Sequence, residues 1–239
     1  LRKSVNLSKQ THIIAANIDQ ALLMITLNSP VTTTGFIDRF LVAANAYGIK
    51  VILLFNKVDL LLDDLKFHQE KLKKVYEKIG YTCLATSVIN DDLFQVKEVM
   101  KGKLNMISGH SGVGKSTLVN YLQPGLHINT KEISDTHMQG QHTTTFSELH
   151  ELDFGASIID TPGIRGFGLV ELEAAEIANY FSEFFALKLK CKFHNCIHKN
   201  EPQCAVKSAL ENGDIAESRY KNYLKMLVEE EENFRTNDY

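Results

Sequence analysis

Short apolar runs alternate with longer amphipathic stretches along the chain up to about residue 170. The short runs predict buried strands, whereas the longer stretches carry apolar residues at helical spacing. This alternation is typical of β-α units that build a largely parallel sheet. The predicted strands cover residues 12–16, 22–27, 51–55, 82–85, 103–108, 148–152 and 156–160, and two predicted helices cover residues 37–47 and 65–79, each followed by a glycine.

The pattern changes near residue 170, where runs of β-branched residues stop. Apolar residues then recur at helical spacing, first at Ala175, Ala178 and Phe181 and again from Tyr220 to Val228. The predicted fold class is therefore α/β, with a three-layer domain over residues 1–170 and a small helical domain over residues 171–239. The acidic run at residues 229–232 is interpreted as a solvated helix end.

Composition and charge argue against three classes of protein: one with an overall attraction for nucleic acid, one that spans a membrane and one that is a secreted disulfide scaffold. A net charge of −3 gives no overall attraction for nucleic acid, so any RNA contact has to be local. No apolar run approaches the roughly 18 residues of a membrane span, and no signal peptide opens the chain, so no membrane partner is expected. Three of the four cysteines lie between Cys191 and Cys204, which favours a reducing cytoplasm over a secreted disulfide scaffold. Because the first residue is Leu1 and not Met, we expect the natural N-terminus to be missing.

A glycine-rich loop follows the predicted strand 103–108 and precedes a predicted helix that begins at Lys115. Residues 109–116 satisfy G-x-x-x-x-G-K-[ST], the pattern of a phosphate-binding loop. Glycines let successive backbone N–H groups curl around a phosphate, Lys115 reaches the β- and γ-phosphates, and the Ser116 hydroxyl binds Mg²⁺. A chance glycine-rich turn is the alternative, and the flanking strand and helix argue against it. The predicted phosphate loop comprises Gly109, His110, Ser111, Gly112, Val113, Gly114, Lys115, Ser116 and Thr117.

The tetrapeptide at residues 56–59, Asn-Lys-Val-Asp, follows the predicted strand 51–55 directly. The Asp59 carboxylate can accept hydrogen bonds from both N1–H and N2–H of guanine, a donor pair that adenine lacks. The Lys57 stem can lie against the base, and Asn56 can link this segment to the phosphate loop. Backbone groups of Ser87 and Val88, after the strand 82–85, would contact the guanine carbonyl, although a plain loop would look the same. Together with the phosphate loop, the tetrapeptide predicts a site for GTP or GDP.

Two further segments complete a nucleotide switch. Residues 160–163 match D-x-x-G, so that Asp160 would hold Mg²⁺ through water and the Gly163 N–H would sense the γ-phosphate. Residues 130–146 form a polar segment without periodicity, which we call the switch loop. In it we expect Thr144 to be a second hydroxyl ligand of Mg²⁺, the alternative being a mobile loop with an incidental threonine.

The order of these motifs is a circular permutation of the order in Ras-like proteins, because the guanine motif precedes the phosphate loop. Chains with neighbouring termini tolerate such a change of cut point. Ile164 occupies the place where Ras-like enzymes carry the glutamine that orients the attacking water. Isoleucine cannot do so, which leaves His142 in the switch loop or a partner macromolecule. A solvated loop histidine is an equally open interpretation of His142.

The spacing Cys191-x₄-Cys196-x-His198-x₅-Cys204 offers three thiolates and one imidazole. This set predicts one closed, structural zinc ion, whereas free thiols in a reducing cell are the alternative. His194 competes as a ligand, but its place between the first two cysteines favours exposure. Nearby lysines make a local basic face that fits either solvent or RNA; they are Lys188, Lys190, Lys192 and Lys199.

Together these motifs resemble one family, the bacterial circularly permuted GTPases called RsgA or YjeQ, which assist late assembly of the small ribosomal subunit. Further resemblance lies in residues 16–19, 140–145 and 201–207. The resemblance implies an N-terminal OB-fold, then the permuted GTPase domain and a zinc-bearing helical domain, and we expect only the last two in this chain. It also implies that His142 takes part in hydrolysis and that the subunit stimulates turnover. Ser87 departs from the family pattern, which has alanine there.

The leading hypothesis is a monomeric, cytoplasmic GTPase that binds rRNA and acts as an assembly or checkpoint factor of the small ribosomal subunit. A zinc-dependent RNA-binding adaptor that uses GTP as a structural ligand is the alternative, and intact Lys115, Ser116 and Asp160 argue against it. A third hypothesis is a GTP-driven metal chaperone with the Cys/His cluster as its transfer site. Zinc exchange on the timescale of GTP turnover would favour it.

Overall fold

The structure is a computed structural model that describes residues 2–5, 8–13, 17–90, 93–126, 148–160, 172 and 174–237. The chain divides into two compact units, each described by itself below. The first comprises Leu1–Thr32 and Ile49–Gly166, and the second comprises Thr33–Gly48 and Phe167–Tyr239. In the described part of the chain, no helix is both long and apolar enough to span a membrane.

The first unit is built on a six-stranded sheet in the order β5-β4-β3-β6-β8-β7, which is parallel except at the antiparallel pair β7–β8. Every residue of β3 and nearly all of β4 is buried, as expected for central strands covered on both faces. The strands are β3 (Gln20–Ile25), β4 (Lys50–Phe55), β5 (Thr82–Ala85), β6 (Leu104–Ser108), β7 (Glu148–Leu152) and β8 (Ala156–Asp160). The α/β fold class is confirmed, and the predicted strands 82–85, 148–152 and 156–160 have the bounds that the structure shows.

Two elements at the start of the chain form a separate antiparallel pair, β1 (Arg2–Val5) with β2 (Ser8–Ile13). The predicted strand 12–16 overlaps β2 only at its first two residues, and residues 14–16 lie outside the described residues. The predicted strand was drawn from the apolar residues at the end of this segment. The hydrogen-bonded pairing instead begins at polar Ser8, because pairing with a neighbouring strand does not require apolar side chains.

In the described part of the first unit the helices are α2 (Asp63–Lys78), α3 (Phe94–Met100) and α4 (Lys115–Leu122), with a short 3₁₀ turn at Val58–Leu60. The short helix α3 was not predicted, although Val96 and Met100 show the i, i+4 spacing of one buried face. Near the starts of β3 and β6, Gln20 Nε2 donates to Asn105 Oδ1 at 2.7 Å. This bond pairs a polar residue of one strand with a polar residue of the other. Because both side chains are buried, this bond helps to fix the register of the two strands.

The second unit is helical: α1 (Thr34–Ala46), α5 (Ala174–Ile177), α6 (Ser182–Leu187), α7 (Ala205–Glu211) and α8 (Glu217–Asn237), with 3₁₀ turns at Ala178–Tyr180 and Lys188–Lys190. Its core contains stacked Phe181 and Phe184, with Tyr223 packed edge-on against both rings. The predicted helices 37–47 and 65–79 correspond to α1 and α2. In the structure α1 belongs to this helical unit, and the predicted division at residue 170 stays a prediction.

A buried ion network ties three helices of the second unit together. Arg219 of α8 donates to Asp38 of α1 at 2.7 Å and to both oxygens of Glu183 of α6 at 2.7 and 2.9 Å. Asn222 also donates to Asp38, at 2.6 Å. The Arg219 and Asp38 side chains are 1% and 0% exposed, so each of these buried charges is stabilised by the other and by the hydrogen bonds around them.

Candidate functional site

The phosphate loop connects β6 to α4, and close backbone approach requires two of its glycines. A Cβ atom at Gly109 would lie 2.6 Å from the Met24 carbonyl oxygen, and one at Gly114 would lie 2.6 Å from Asn56 Nδ2. Both residues also have positive φ, 144° and 104°. Side chains at these positions would displace the neighbouring strand or Asn56, so glycine is what lets this loop form.

Lys115, the first residue of α4, folds back over the phosphate loop. Its Nζ donates to the carbonyl oxygens of Gly109 and His110, both at 2.8 Å. The helix N-terminus adds a partial positive charge at the same place. Burial, and then the charge of Lys115, lower the pKa of His110, which keeps that imidazole neutral at pH 7. The loop therefore presents an amine and a helix end to an anion.

Asn56 contacts both the phosphate loop and the segment that follows β5. The first of these links was predicted from the sequence. Asn56 is buried at the end of β4, and its Nδ2 donates to the Val113 carbonyl at 2.9 Å. Its Oδ1 accepts from the Val88 backbone amide at 3.2 Å. One side chain thus holds the loops that follow β4, β5 and β6 in a fixed arrangement.

Lys57 reaches across the phosphate loop from a left-handed backbone conformation with φ of 62°. Its Nζ donates to the carbonyl oxygens of Ser29 and Gly112, both at 2.7 Å. Left-handed backbone in a residue other than glycine costs free energy and persists where the surroundings enforce it, often at functional sites. The two hydrogen bonds provide that enforcement.

A pocket of about 150 Å³ lies where these loops meet. It is at the carboxyl ends of β4, β5 and β6, which is where open α/β sheets bind ligands. A cavity of this order accommodates a ring compound. Leu60 and Ile89, which are 55% and 58% exposed, give it apolar walls. The lining residues are Asn56, Lys57, Asp59, Leu60, Ser87, Val88, Ile89, Gly114 and Thr117.

The structure therefore brings together the predicted guanine motif, the residues after β5 and the phosphate loop. Asp160 is the last residue of β8, a strand that pairs directly with β6 in the sheet. Its backbone thus lies at the same edge of the sheet as the phosphate loop. The remaining predicted switch residues lie outside the described residues; they are His142, Thr144 and Gly163, and with them Ile164 and the switch loop.

In the second unit the predicted metal ligands converge. One ligand atom from each of Cys191, Cys196, His198 and Cys204 lies within 4.8 Å of the others. We call these four residues the metal cluster. His198 Nδ1 is 3.7, 3.4 and 3.3 Å from the sulfur atoms of the three cysteines in chain order. Tetrahedral zinc with ordinary bond lengths would place a ring nitrogen about 3.5 Å from each sulfur, so the cluster fits zinc.

The residues that support the metal cluster were not anticipated from the sequence. The Glu201 carboxylate accepts from the backbone amides of Ile197, Lys199 and Asn200 at 2.7, 2.8 and 3.0 Å. Tyr220 donates to the His198 carbonyl at 2.7 Å, and Tyr223 donates to the Ile197 carbonyl. The helical spacing of the two tyrosines was visible in the sequence, but it indicated only a packed face.

Burial sets the protonation of the metal cluster in the absence of a cation. It raises the pKa of the Cys196 thiol to about 12, raises the pKa of Cys204 and lowers the pKa of His198. A divalent cation reverses the preference of the thiols, because coordinated sulfur is deprotonated. The competing imidazole of His194 is exposed and outside the cluster, as expected.

Comparison with known proteins gives a consistent result. A family model described as RsgA GTPase matches residues 1–170. The small ribosomal subunit biogenesis GTPase RsgA of Flavobacterium johnsoniae is 58% identical over 240 residues, which cover 100% of this chain and 74% of that protein. The protein of the same name from Bacteroides fragilis is 50% identical over 233 residues, covering 97% and 75%.

Two solved structures are similar as well. The crystal structure of YjeQ from Thermotoga maritima aligns with a TM-score of 0.78 and 38% identity over 90% of this chain and 72% of that one. The structure of YloQ, a circularly permuted GTPase, aligns with a TM-score of 0.75 and 28% identity over 97% of this chain and 79% of that one. The similarity to both structures extends beyond the residues that the family model matches.

Proposed function

The chain belongs to the RsgA GTPase family, and from this premise we propose that it acts as a late assembly or checkpoint factor of the small ribosomal subunit. It is a GTP hydrolase with circularly permuted motifs, producing GDP and phosphate. The relatives at 58% and 50% identity carry small ribosomal subunit biogenesis in their names. We place the protein in the bacterial cytoplasm, where that subunit is assembled, and expect it to be a monomer.

The observation that carries the nucleotide assignment is the pocket shared by the guanine motif and the phosphate loop. We assign to Asp59 the acceptance of hydrogen bonds from N1–H and N2–H of guanine, and to Leu60, Ile89 and the Lys57 stem the contacts with the ring faces. Adenine would leave the carboxylate without donors, so it is disfavoured. The phosphates then extend toward the N-terminus of α4, where backbone amides and Lys115 neutralise their charge.

Hydrolysis needs groups on both sides of the γ-phosphate. Mg²⁺ bound with GTP supplies positive charge against the charge that develops on the phosphate oxygens. Ser116, Asp160 and Thr144 are the oxygen donors that we assign to hold it, a hard-ligand set that suits this cation. We assign to His142 the orientation of the attacking water and to Gly163 the backbone contact to the γ-phosphate.

We assign one structural zinc ion to the metal cluster, because all four ligand positions of a tetrahedral ion are filled by protein. The exposed side chains beside it include Lys190, Lys192 and Leu189, the last 97% exposed. Lys192 also lies over the Phe193 ring, 5.6 Å from its centroid. We propose that this basic and apolar face makes the local rRNA contact that a chain of net charge −3 requires.

The proposed function is tested by GTP turnover with and without purified bacterial small ribosomal subunits, followed as release of labelled phosphate. We expect small subunits to raise turnover at least about tenfold, as a partner that completes a hydrolytic site does. Large subunits provide the matched control and should leave turnover unchanged. Equal turnover in all three conditions would reject the role in subunit assembly while leaving GTP hydrolysis intact.

The assignment of His142 is tested by His142→Ala. Loss of a group that orients water should reduce subunit-stimulated turnover by about 100-fold, while GDP affinity stays unchanged because GDP lacks the γ-phosphate that the water attacks. His194→Ala, at an exposed histidine outside the metal cluster, is the control. Turnover of His142→Ala at the wild-type rate would remove the histidine from the mechanism.

A further inference from the structure

Residues 184–200, which we call the basic segment, have a charge opposite in sign to that of the whole chain. They include four lysines and no aspartate or glutamate, whereas the chain has 29 acidic and 26 basic residues. Lys190 and Lys192 are exposed. Zinc bound by three thiolates would offset only part of this positive charge. The surface of the basic segment therefore suits an anionic partner.

The basic segment also exposes three large apolar side chains. Leu189 is 97% exposed, Phe185 is 60% exposed and Phe193 is 39% exposed. Isolated exposed apolar residues are ordinary, but three of them in one short lysine-rich segment indicate a binding surface. The partner should therefore combine negative charge with flat apolar faces. Nucleic acid with unstacked bases has both properties.

The Phe193 ring is carried by a backbone that the metal cluster and its neighbours hold in place. Two of the assigned ligands, Cys191 and Cys196, flank this residue. The Phe193 carbonyl accepts from the Cys196 amide at 3.2 Å, and the Lys192 amide donates to the Gln203 carbonyl at 3.2 Å. Lys192 Nζ lies 5.6 Å from the centroid of the Phe193 ring. The turn thus presents an aromatic ring with a positive charge beside it.

An exposed aromatic ring among lysines suits unpaired RNA better than an RNA duplex. The bases of a duplex are stacked on one another, so proteins contact mainly its phosphates and 2′-hydroxyl groups. Unpaired bases instead stack on aromatic side chains, and this stacking adds affinity for every type of base. Lysines alone would bind either form of RNA. The ring of Phe193 is therefore the feature that favours unpaired bases.

We propose that the Phe193 ring stacks on an unpaired RNA base while Lys190 and Lys192 bind the phosphates on either side of it. The inference rests on the proposed function and deepens it, since it names the kind of RNA that this face contacts. Electrostatic attraction alone favours a duplex, which has the higher density of phosphate charge. A preference for single strands would therefore come from stacking.

The test measures binding of fluorescently labelled RNA to the zinc-loaded protein by anisotropy. One probe is a single strand of about 12 nucleotides without internal pairing, and the other is that strand annealed to its complement. We expect the single strand to bind at least about tenfold more tightly than the duplex. Equal affinity for the two probes, or a preference for the duplex, would overturn the inference. This comparison needs no variant.

Substitution of Phe193 then tests the ring itself. Phe193→Leu keeps an apolar side chain, and in its zinc-loaded form it should bind the single strand about tenfold more weakly and the duplex as wild type does. Phe67→Leu, at a phenylalanine of α2 that is 75% exposed, is the control and should bind both probes normally. Single-strand binding by Phe193→Leu at the wild-type affinity would also overturn the inference.

The phosphate contacts have a separate signature. Lys190→Gln should weaken binding of both probes and reduce the slope of log affinity against log salt concentration by roughly one, as loss of one phosphate contact does. An unchanged slope would remove Lys190 from the proposed contact. All these results are independent of GTP turnover, so stimulation by small ribosomal subunits would uphold the proposed function even where the RNA preference fails.

Discussion

At the scale of single residues, Asp59 and Asp63 carry the same carboxylate four positions apart and have different surroundings. Asp59 lines the nucleotide pocket, whereas the Asp63 side chain is fully exposed and pairs with Lys66 at 3.3 Å. Exposed pairs of that kind contribute little to stability. The same Asp→Asn substitution at the two positions therefore tests whether the Asp59 carboxylate binds the base, with Asp63 as the control.

We expect Asp59→Asn to lower GDP affinity by about 100-fold, because the amide places a donor against the donors of guanine. Xanthosine diphosphate, which carries a carbonyl in place of the 2-amino group, should bind this variant better than GDP does. Calorimetric titration with both nucleotides measures the effect, with Asp63→Asn as the control. Tight GDP binding by Asp59→Asn would mean that the carboxylate does not contact the base.

At the scale of elements, Gly114 and Gly125 have nearly the same φ, 104° and 109°. A Cβ atom at Gly114 would meet Asn56 Nδ2 at 2.6 Å, whereas one at Gly125 would have nothing within 4 Å. Both Gly→Ala variants should lose about 1–2 kcal/mol of unfolding free energy from backbone strain. Only Gly114→Ala should also lose GDP affinity, by at least about tenfold, because it displaces the side chain that joins three loops.

Titration with GDP and urea unfolding measure the two effects separately. Gly125→Ala serves as the control for strain without a steric clash. If both variants bound GDP equally well, the Asn56 link would be unnecessary for assembling the pocket.

The helices of the second unit offer a comparison between a buried and an exposed ion pair. Arg219→Ala should lower the free energy of unfolding by about 3–5 kcal/mol, because it leaves Asp38 buried without its counter-charge. Arg39→Ala breaks an ion pair in which the Arg39 and Glu229 side chains are 34% and 49% exposed. This substitution should lower the free energy of unfolding by less than about 1 kcal/mol. Thermal and urea unfolding followed by circular dichroism measure both. Equal losses would show that burial does not set the strength of these pairs.

At the scale of the whole molecule, three of the four cysteines share one cluster and Cys83 stands apart in the first unit. Burial raises the pKa of the Cys83 thiol to about 12. Unlike the thiols of the metal cluster, Cys83 belongs to no group of three or more potential metal ligands among the described residues. Cys204→Ser should abolish the single bound zinc and lower the melting temperature on the order of 10 °C, since the metal supplies folding energy.

Cys83→Ser is the control and should retain one zinc ion per chain, measured by atomic emission together with thermal unfolding. Removal of zinc from the wild type with a strong chelator should reproduce the Cys204→Ser melting temperature. Full zinc content in Cys204→Ser would contradict the assignment of the four ligands.

The sequence by itself determined the chemistry that lies within short segments. The phosphate loop, the guanine motif and the Cys/His spacing are each contiguous, so residue type and spacing are enough to predict their ligands. The central strands β3 and β4 were equally visible, because burial on both faces leaves continuous apolar runs. Support from Glu201 and Tyr220 escaped prediction, since residue type and spacing do not reveal which backbone group a carboxylate or a phenol contacts.

Only the tertiary structure decided how these segments meet. The nucleotide pocket joins loops after β4, β5 and β6, which are far apart in the sequence. Likewise, the bond from Arg219 to Asp38 spans 181 positions and places α1 with helices from the other end of the chain. The physical reason is that periodicity records which face of an element is buried, whereas the partner on that face depends on the path of the whole chain.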